Sequence, residues 1–276
     1  MNLSLAFSTC PNDTFIFDAI VNKRIDLGSL SFSLSLADID VLNAIAEKGE
    51  PDIVKVSYAT YPFISENYQM LASGSALGKG VGPLVISKRK IYPDELPYAK
   101  IAVPGLRTTA NLLFSIFYPT STSKKVYLFS DIEEAILLNE VDAGIVIHEN
   151  RFTYQLKGLQ RIVDLGELWE KSTNLPIPLG GIAVKRSLPF EIKMKVQQIV
   201  KNSVEYAFAN PNDSKKFVSQ HAQELDSATI QKHIDLYVNG YSVDLGQKGI
   251  EAISALWQKG ATVGFCPTSA QECFVM

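Results

Sequence analysis

The chain is poor in cysteine and histidine, has no long apolar run and carries no surplus of one charge. Its three cysteines, Cys10, Cys266 and Cys273, are odd in number and form no Cys-x-x-Cys pair. A zinc ribbon, a redox dithiol and a disulfide framework are therefore disfavoured, and free thiols suit a reducing compartment. No run approaches the ~18 apolar residues of a membrane span. Residues 1–8 lack a basic n-region and an apolar stretch of signal-peptide length, so a cytoplasmic location without membrane insertion is expected. Lys and Arg total 26 against 29 Asp and Glu, a net charge of −3. Without a basic footprint, no nucleic-acid partner is expected. There is no His-x-x-x-His pair, no Asp-rich metal loop and no Gly-x-Ser-x-Gly elbow. Hydrolysis by zinc or by a nucleophilic serine thus has no support. What is present is 46% apolar residues over 276 positions, enough core for one large or two modest domains.

Short β-rich runs alternate with amphipathic helical stretches, the pattern of an α/β protein with largely parallel sheets. Residues 3–8, 30–36 and 52–56 read as strands. Between them, helices open at Asp13 or Thr14 and after Asp38, which suits a cap. A further short helix is expected over 60–64. Two Gly- and Pro-flanked apolar runs, 82–87 and 180–185, read as crossings between domains. Between them lies a second series: strands at 100–103, 126–129 and 143–147, with helices from Thr108 and over 131–138. The remainder is mainly helical, over 190–209, 214–221, 228–238 and 246–259. The expected organisation is a larger lobe of residues 1–90 and 182–276, a smaller inserted lobe of 91–181, and a cleft between them.

Several segments could carry chemistry. Gly74-Ser75-Ala76-Leu77-Gly78-Lys79-Gly80 has one residue too few for a Walker A loop and Gly80 where Ser or Thr should stand, so a hinge-and-cleft loop is expected instead. His148 ends the apolar run 143–147. That is the carboxyl end of an inner strand, the edge that faces the ligand crevice in open α/β sheets. Its ordinary pKa suits general acid–base work. The same place also suits a core histidine, or a cap for a helix starting at Glu149. Thr108, Thr109 and Ala110, between a strand and a helix, offer hydroxyls and N–H groups to a carboxylate or phosphate; an ordinary capped helix would look the same. Lys55-Val56-Ser57 ends another strand and could present Ser57 to the same crevice. Cys10 lacks an identifiable base partner and reads as a structural thiol at the cleft edge. His221 and His233, in polar helical stretches, read as solvated surface.

Ser8-Thr9-Cys10-Pro11-Asn12-Asp13-Thr14-Phe15-Ile16-Phe17 closely resembles the opening of the 1,4-dihydroxy-6-naphthoate synthases of the futalosine branch of menaquinone biosynthesis. The likeness continues through Lys55-Val56-Ser57, Ser73-Gly74-Ser75-Ala76-Leu77-Gly78 and Gly80-Val81-Gly82-Pro83-Leu84. It runs on through Thr108-Thr109-Ala110-Asn111-Leu112, Gly144-Ile145-Val146-Ile147-His148-Glu149, Arg151-Phe152-Thr153-Tyr154 and Leu175-Pro176-Ile177-Pro178-Leu179-Gly180-Gly181. Thr9 stands where the family usually has proline.

The resemblance implies a two-lobed α/β fold like the type II periplasmic binding proteins, with two mixed or parallel sheets joined by two crossing strands. It implies a lyase that converts cyclic dehypoxanthine futalosine to 1,4-dihydroxy-6-naphthoate without metal or organic cofactor. His148 matches the family's proposed proton acceptor. Lys55, Val56 and Ser57 match one substrate-contacting strip and Thr109 with Ala110 another. Thr108, Asn12 and Ser75, from the same motifs, join the substrate-binding candidates. The only partner expected is the small-molecule substrate; a homodimer is left open. Two alternatives stand beside this reading: chorismate dehydratase of the same pathway, which fits the opening and the Ile-His-Glu segment less well, and a receptor of the same fold that catalyses nothing.

Overall fold

The computed structural model describes residues 1–148, 150–222, 226–268 and 272–275. Its first sheet begins with three parallel strands, β1 (Asn2–Phe7), β2 (Ser31–Leu36) and β3 (Ile53–Ser57), in the order β2-β1-β3. Helices α1 (Pro11–Val21) and α2 (Ile39–Glu47) make the crossovers that parallel pairing requires. After a turn of helix, α3 (Tyr61–Ile64), come the short strands β4 (Tyr68–Met70) and β5 (Ala76–Gly78). Both pair antiparallel with a long later strand that also runs antiparallel to β3.

The second sheet holds β6 (Leu84–Ser87), β7 (Ile101–Val103), β8 (Lys124–Val126), β9 (Ala143–Val146) and β10 (Gln160–Asp164), in the order β10-β6-β9-β7-β8. Helices α4 (Thr109–Phe117), α5 (Ile132–Leu137), α6 (Asn150–Thr153) and α7 (Leu165–Thr173) connect or follow these strands. The chain then returns to the first sheet as β11 (Ile177–Lys185). It finishes in α8 (Phe190–Ala209), α9 (Lys215–His221), α10 (Ser227–Tyr237), α11 (Gly240–Val243) and α12 (Gly246–Thr262). No helix of the described residues is long and apolar enough to cross a membrane.

Both sheets are mixed, one of the two forms expected, because β11 and β6 enter antiparallel to their neighbours. Two other expectations need correction. The run at 82–87, expected with the larger lobe, pairs with β9 and β10 inside the second sheet. And α1 starts at Pro11, earlier than its expected caps. Proline at the first helical position is preset for the helix, which leaves Asp13 free to turn inward.

Core packing ties the sheets together. Leu3, Leu5 and Phe7 of β1 pack under α1 and α8, with Phe17 stacked on Phe7 at 4.5 Å between centroids. On the opposite face, one cluster runs from Val54 and Val56 through Leu112 of α4 and Trp257 of α12 to Ile101 and Ile145 of the second sheet. The carboxyl ends of β1, β3, β7 and β9 converge beside this cluster, and the loops that follow them build the site.

Candidate active site

A cavity of about 670 Å³, counted with its mouth, opens where these strand ends meet. One wall comes from the first sheet: Ser8 after β1, Asn12 and Asp13 of α1, and Lys55 and Ser57 of β3. The facing wall is the start of α4, with Thr108, Thr109 and Ala110, together with Ile147 and His148 after β9. Tyr237 of α10 and the apolar side chains of Ile39, Val81 and Leu179 close the remainder.

Alternation along β3 explains what it shows to the cavity. Residues 55 and 57 point one way and 56 the other, so the Val56 side chain is buried in the core cluster at 0% exposure and does not line the cavity. Ser75 does not line the cavity either; its hydroxyl shares a 2.6 Å hydrogen bond with the Tyr58 hydroxyl. The other candidates, His148, Lys55, Ser57, Thr108, Thr109, Ala110 and Asn12, share the one cavity.

Asp13 organises the first wall. Its Oδ1 accepts from Lys55 Nζ at 2.8 Å and from Asn12 Nδ2 at 2.8 Å, and its Oδ2 accepts from the Ser8 hydroxyl at 2.6 Å. Lys55 also donates to the Gly74 carbonyl at 3.1 Å. Asp13 and Lys55 are buried, and a buried pair holds its place only when hydrogen bonds satisfy it in this way. On the other wall the threonine hydroxyls are already spent. Thr108 Oγ1 donates to Gly105 O at 2.8 Å and caps α4 by accepting from Asn111 N at 3.3 Å. Thr109 Oγ1 donates to Leu179 O at 2.6 Å and accepts from Ala59 N at 3.2 Å. What α4 offers a ligand is therefore its first backbone N–H groups, which have no intrahelical acceptor.

His148 takes a left-handed backbone conformation, with φ of 55°. The Cys10 sulfur lies 3.4 Å from Nδ1 and 3.7 Å from Nε2. An atom that near both nitrogens sits over the ring face, not on an in-plane lone pair, so Cys10 packs against His148 without gripping it. The Phe129 ring meets it edge-on at 4.9 Å. Among the described residues no carboxylate or carbonyl holds either ring nitrogen. Burial pushes the imidazole down to about 4; Asp13 pulls it upward and Lys55 adds to the fall. At neutral pH the ring is neutral and can accept a proton. The helix start expected at Glu149 lies outside the described residues.

His233 overturns its surface assignment. It is 0% exposed, its ring is nearly parallel to His148 at 5.8 Å between centroids, and its Nε2 lies 2.9 Å from Asn12 Oδ1. Burial, and then His148, hold its pKa well below the usual histidine range. Asp13, read from the sequence only as a helix start, likewise belongs to the cavity wall. Arg151 lies off the cavity, where it bonds the Gly82 carbonyl and pairs with Asp164 at 2.9 Å. Arg107 pairs with Glu47 at 2.9 Å, also off the cavity. Among the described residues no three His, Cys, Asp or Glu side chains gather as a metal site.

Comparison with known proteins agrees with the site's motifs. A family model described as menaquinone biosynthesis matches residues 3–262. A Streptomyces coelicolor protein named 1,4-dihydroxy-6-naphthoate synthase is 42% identical over 270 residues, covering 96% of this chain and 95% of that one. A Thermus thermophilus protein of the same name is 39% identical over 273 residues, covering 99% of each. Among solved structures, a Candida albicans protein with the generic periplasmic binding protein fold superposes with a TM-score of 0.70 at 11% identity, over 98% of this chain and 92% of that one. Identity that low speaks for the fold alone. The match over nearly the whole length is another matter, and by it the chain belongs to the menaquinone-biosynthesis family, alongside the 1,4-dihydroxy-6-naphthoate synthases.

Proposed function

We propose that the chain is a lyase that converts cyclic dehypoxanthine futalosine to 1,4-dihydroxy-6-naphthoate, with His148 as its general base. The observation that carries this is the His148 imidazole on the wall of a cavity whose other walls present Lys55, Ser57 and the N–H groups of α4. A base removes a proton from the cyclic substrate, the ring opens, the sugar-derived fragment leaves and the naphthoate aromatises. Aromatisation supplies the driving force. The protein has to place the base and hold charge on oxygen, which preorganised donors do well in a site shielded from water. The apolar side chains of Ile39, Val81, Ile147 and Leu179 suit a fused-ring ligand. The test is to incubate the purified protein with the cyclic substrate and follow naphthoate by chromatography. Naphthoate should accumulate with time and enzyme; no turnover, with tight binding of some other small acid, would instead make the chain a receptor.

A further inference from the structure

We propose that Asn43 is a positioning residue that fixes the Ser57 hydroxyl as a donor and so gives this wall of the cavity its selectivity for a ligand carboxylate. This rests on the cavity being the substrate site. Asn43 lies on α2 and is 1% exposed. Its Oδ1 accepts from the Ser57 backbone N–H at 2.9 Å, and its Nδ2 donates to Ser57 Oγ at 3.1 Å. A peptide N–H can only donate, so the amide oxygen must face it and the amide cannot flip. Nδ2 therefore points at Oγ and occupies a lone pair there, and the hydroxyl proton must go elsewhere. Among the described residues no acceptor takes it, and Ser57 lines the cavity.

The neighbouring hydroxyls have no such freedom. Those of Thr108 and Thr109 donate to carbonyls and that of Ser8 to Asp13. Ser57, the Lys55 ammonium and the start of α4 thus face the ligand with donors, an arrangement that fits a carboxylate and leaves a neutral amide with one of its groups mismatched. The expected effect follows from the strength of a hydrogen bond to a charged group, about ten- to a hundredfold in affinity.

Isothermal titration of the whole chain with 2-naphthoate and with 2-naphthamide tests this. The carboxylate should bind more tightly than the amide. Ser57→Ala should weaken the carboxylate by about ten- to a hundredfold and barely change the amide. Asn43→Ala should weaken the carboxylate in the same direction, and the double variant should be no worse than Ser57→Ala, because both act through one proton. Asn43→Asp, which reverses the donor, should abolish the preference; if that buried charge prevents folding by circular dichroism, the alanine cycle decides. Equal losses for both probes, additive losses in the double variant, or no carboxylate preference in the parent would each overturn the proposal. A chain that keeps the preference but makes no naphthoate from the cyclic substrate would retain this subsite and lose the proposed reaction.

Discussion

At His148 the backbone and the chemistry pull in different directions. A β-carbon at a φ of 55° is uncommon outside Gly, Asn and Asp, and such residues persist where surrounding structure holds them. Here the Phe129 ring, 4.9 Å away and tilted by 61°, and the Cys10 sulfur pack against the imidazole. Neither supplies an in-plane hydrogen bond, so the nitrogens are kept for whatever enters the cavity. The substitution that separates base from backbone is His148→Asn. Asparagine tolerates the left-handed conformation but cannot accept a proton at neutral pH. Turnover should fall by at least about a hundredfold, the lower range for losing a general base, with an unchanged circular-dichroism spectrum. Activity within a few-fold of the parent would remove His148 from the mechanism.

Among the elements, close packing constrains the two passages between the sheets. A β-carbon added at Gly82 would lie 2.3 Å from the Gly166 backbone, and one at Gly166 would lie 2.8 Å from Gly82. The outgoing and returning chains therefore touch backbone to backbone. Gly82→Ala should destabilise the protein by about 1–3 kcal/mol, as overpacking does, and lower the midpoint of urea unfolding; an unchanged midpoint would mean that the passages move apart easily. The sequence marked Gly82 as part of a Gly-rich segment but could not say what it touches, because that contact joins residues far apart in the chain. The same limit runs through the other elements. β1, β3 and α8 were legible from their periodicity, and the strand-end rule placed His148, Ser57 and the start of α4 together. The sheet that claims Leu84–Ser87 was not legible, since an apolar run pairs equally well in either. His233 was hidden by its polar neighbours Gln231, Lys232 and Asp235, although Ile230, Ile234 and Tyr237 mark an inward face beside it. Asn43 carries no local sign of its role, because its partner Ser57 comes from another element.

Taken as one molecule, the site joins the beginning, middle and end of the chain: Asn12 on α1, His148 after β9 and His233 on α10. Its two imidazoles, His233 buried and His148 half-buried, therefore report on the global fold. Both are held below their ordinary value of 6.5, His148 at about 4. Between those values the unfolded chain binds protons that the folded chain refuses, so stability rises with pH there and is lost as pH falls. Asp38 and Asp40, raised by burial from 3.8, act with the opposite sign, but near their own lower range. Lowering the pH from about 7 to about 5.5 therefore isolates the histidines and should cost roughly 1 kcal/mol for each. Thermal unfolding at the two pH values should show the melting temperature falling by a few degrees. In His148→Asn one of the two groups is gone, and the fall should shrink to about half. An equal fall in parent and variant would mean that the His148 imidazole is not shielded in the folded protein, and the neutral base at the centre of the proposed chemistry would lose its physical cause.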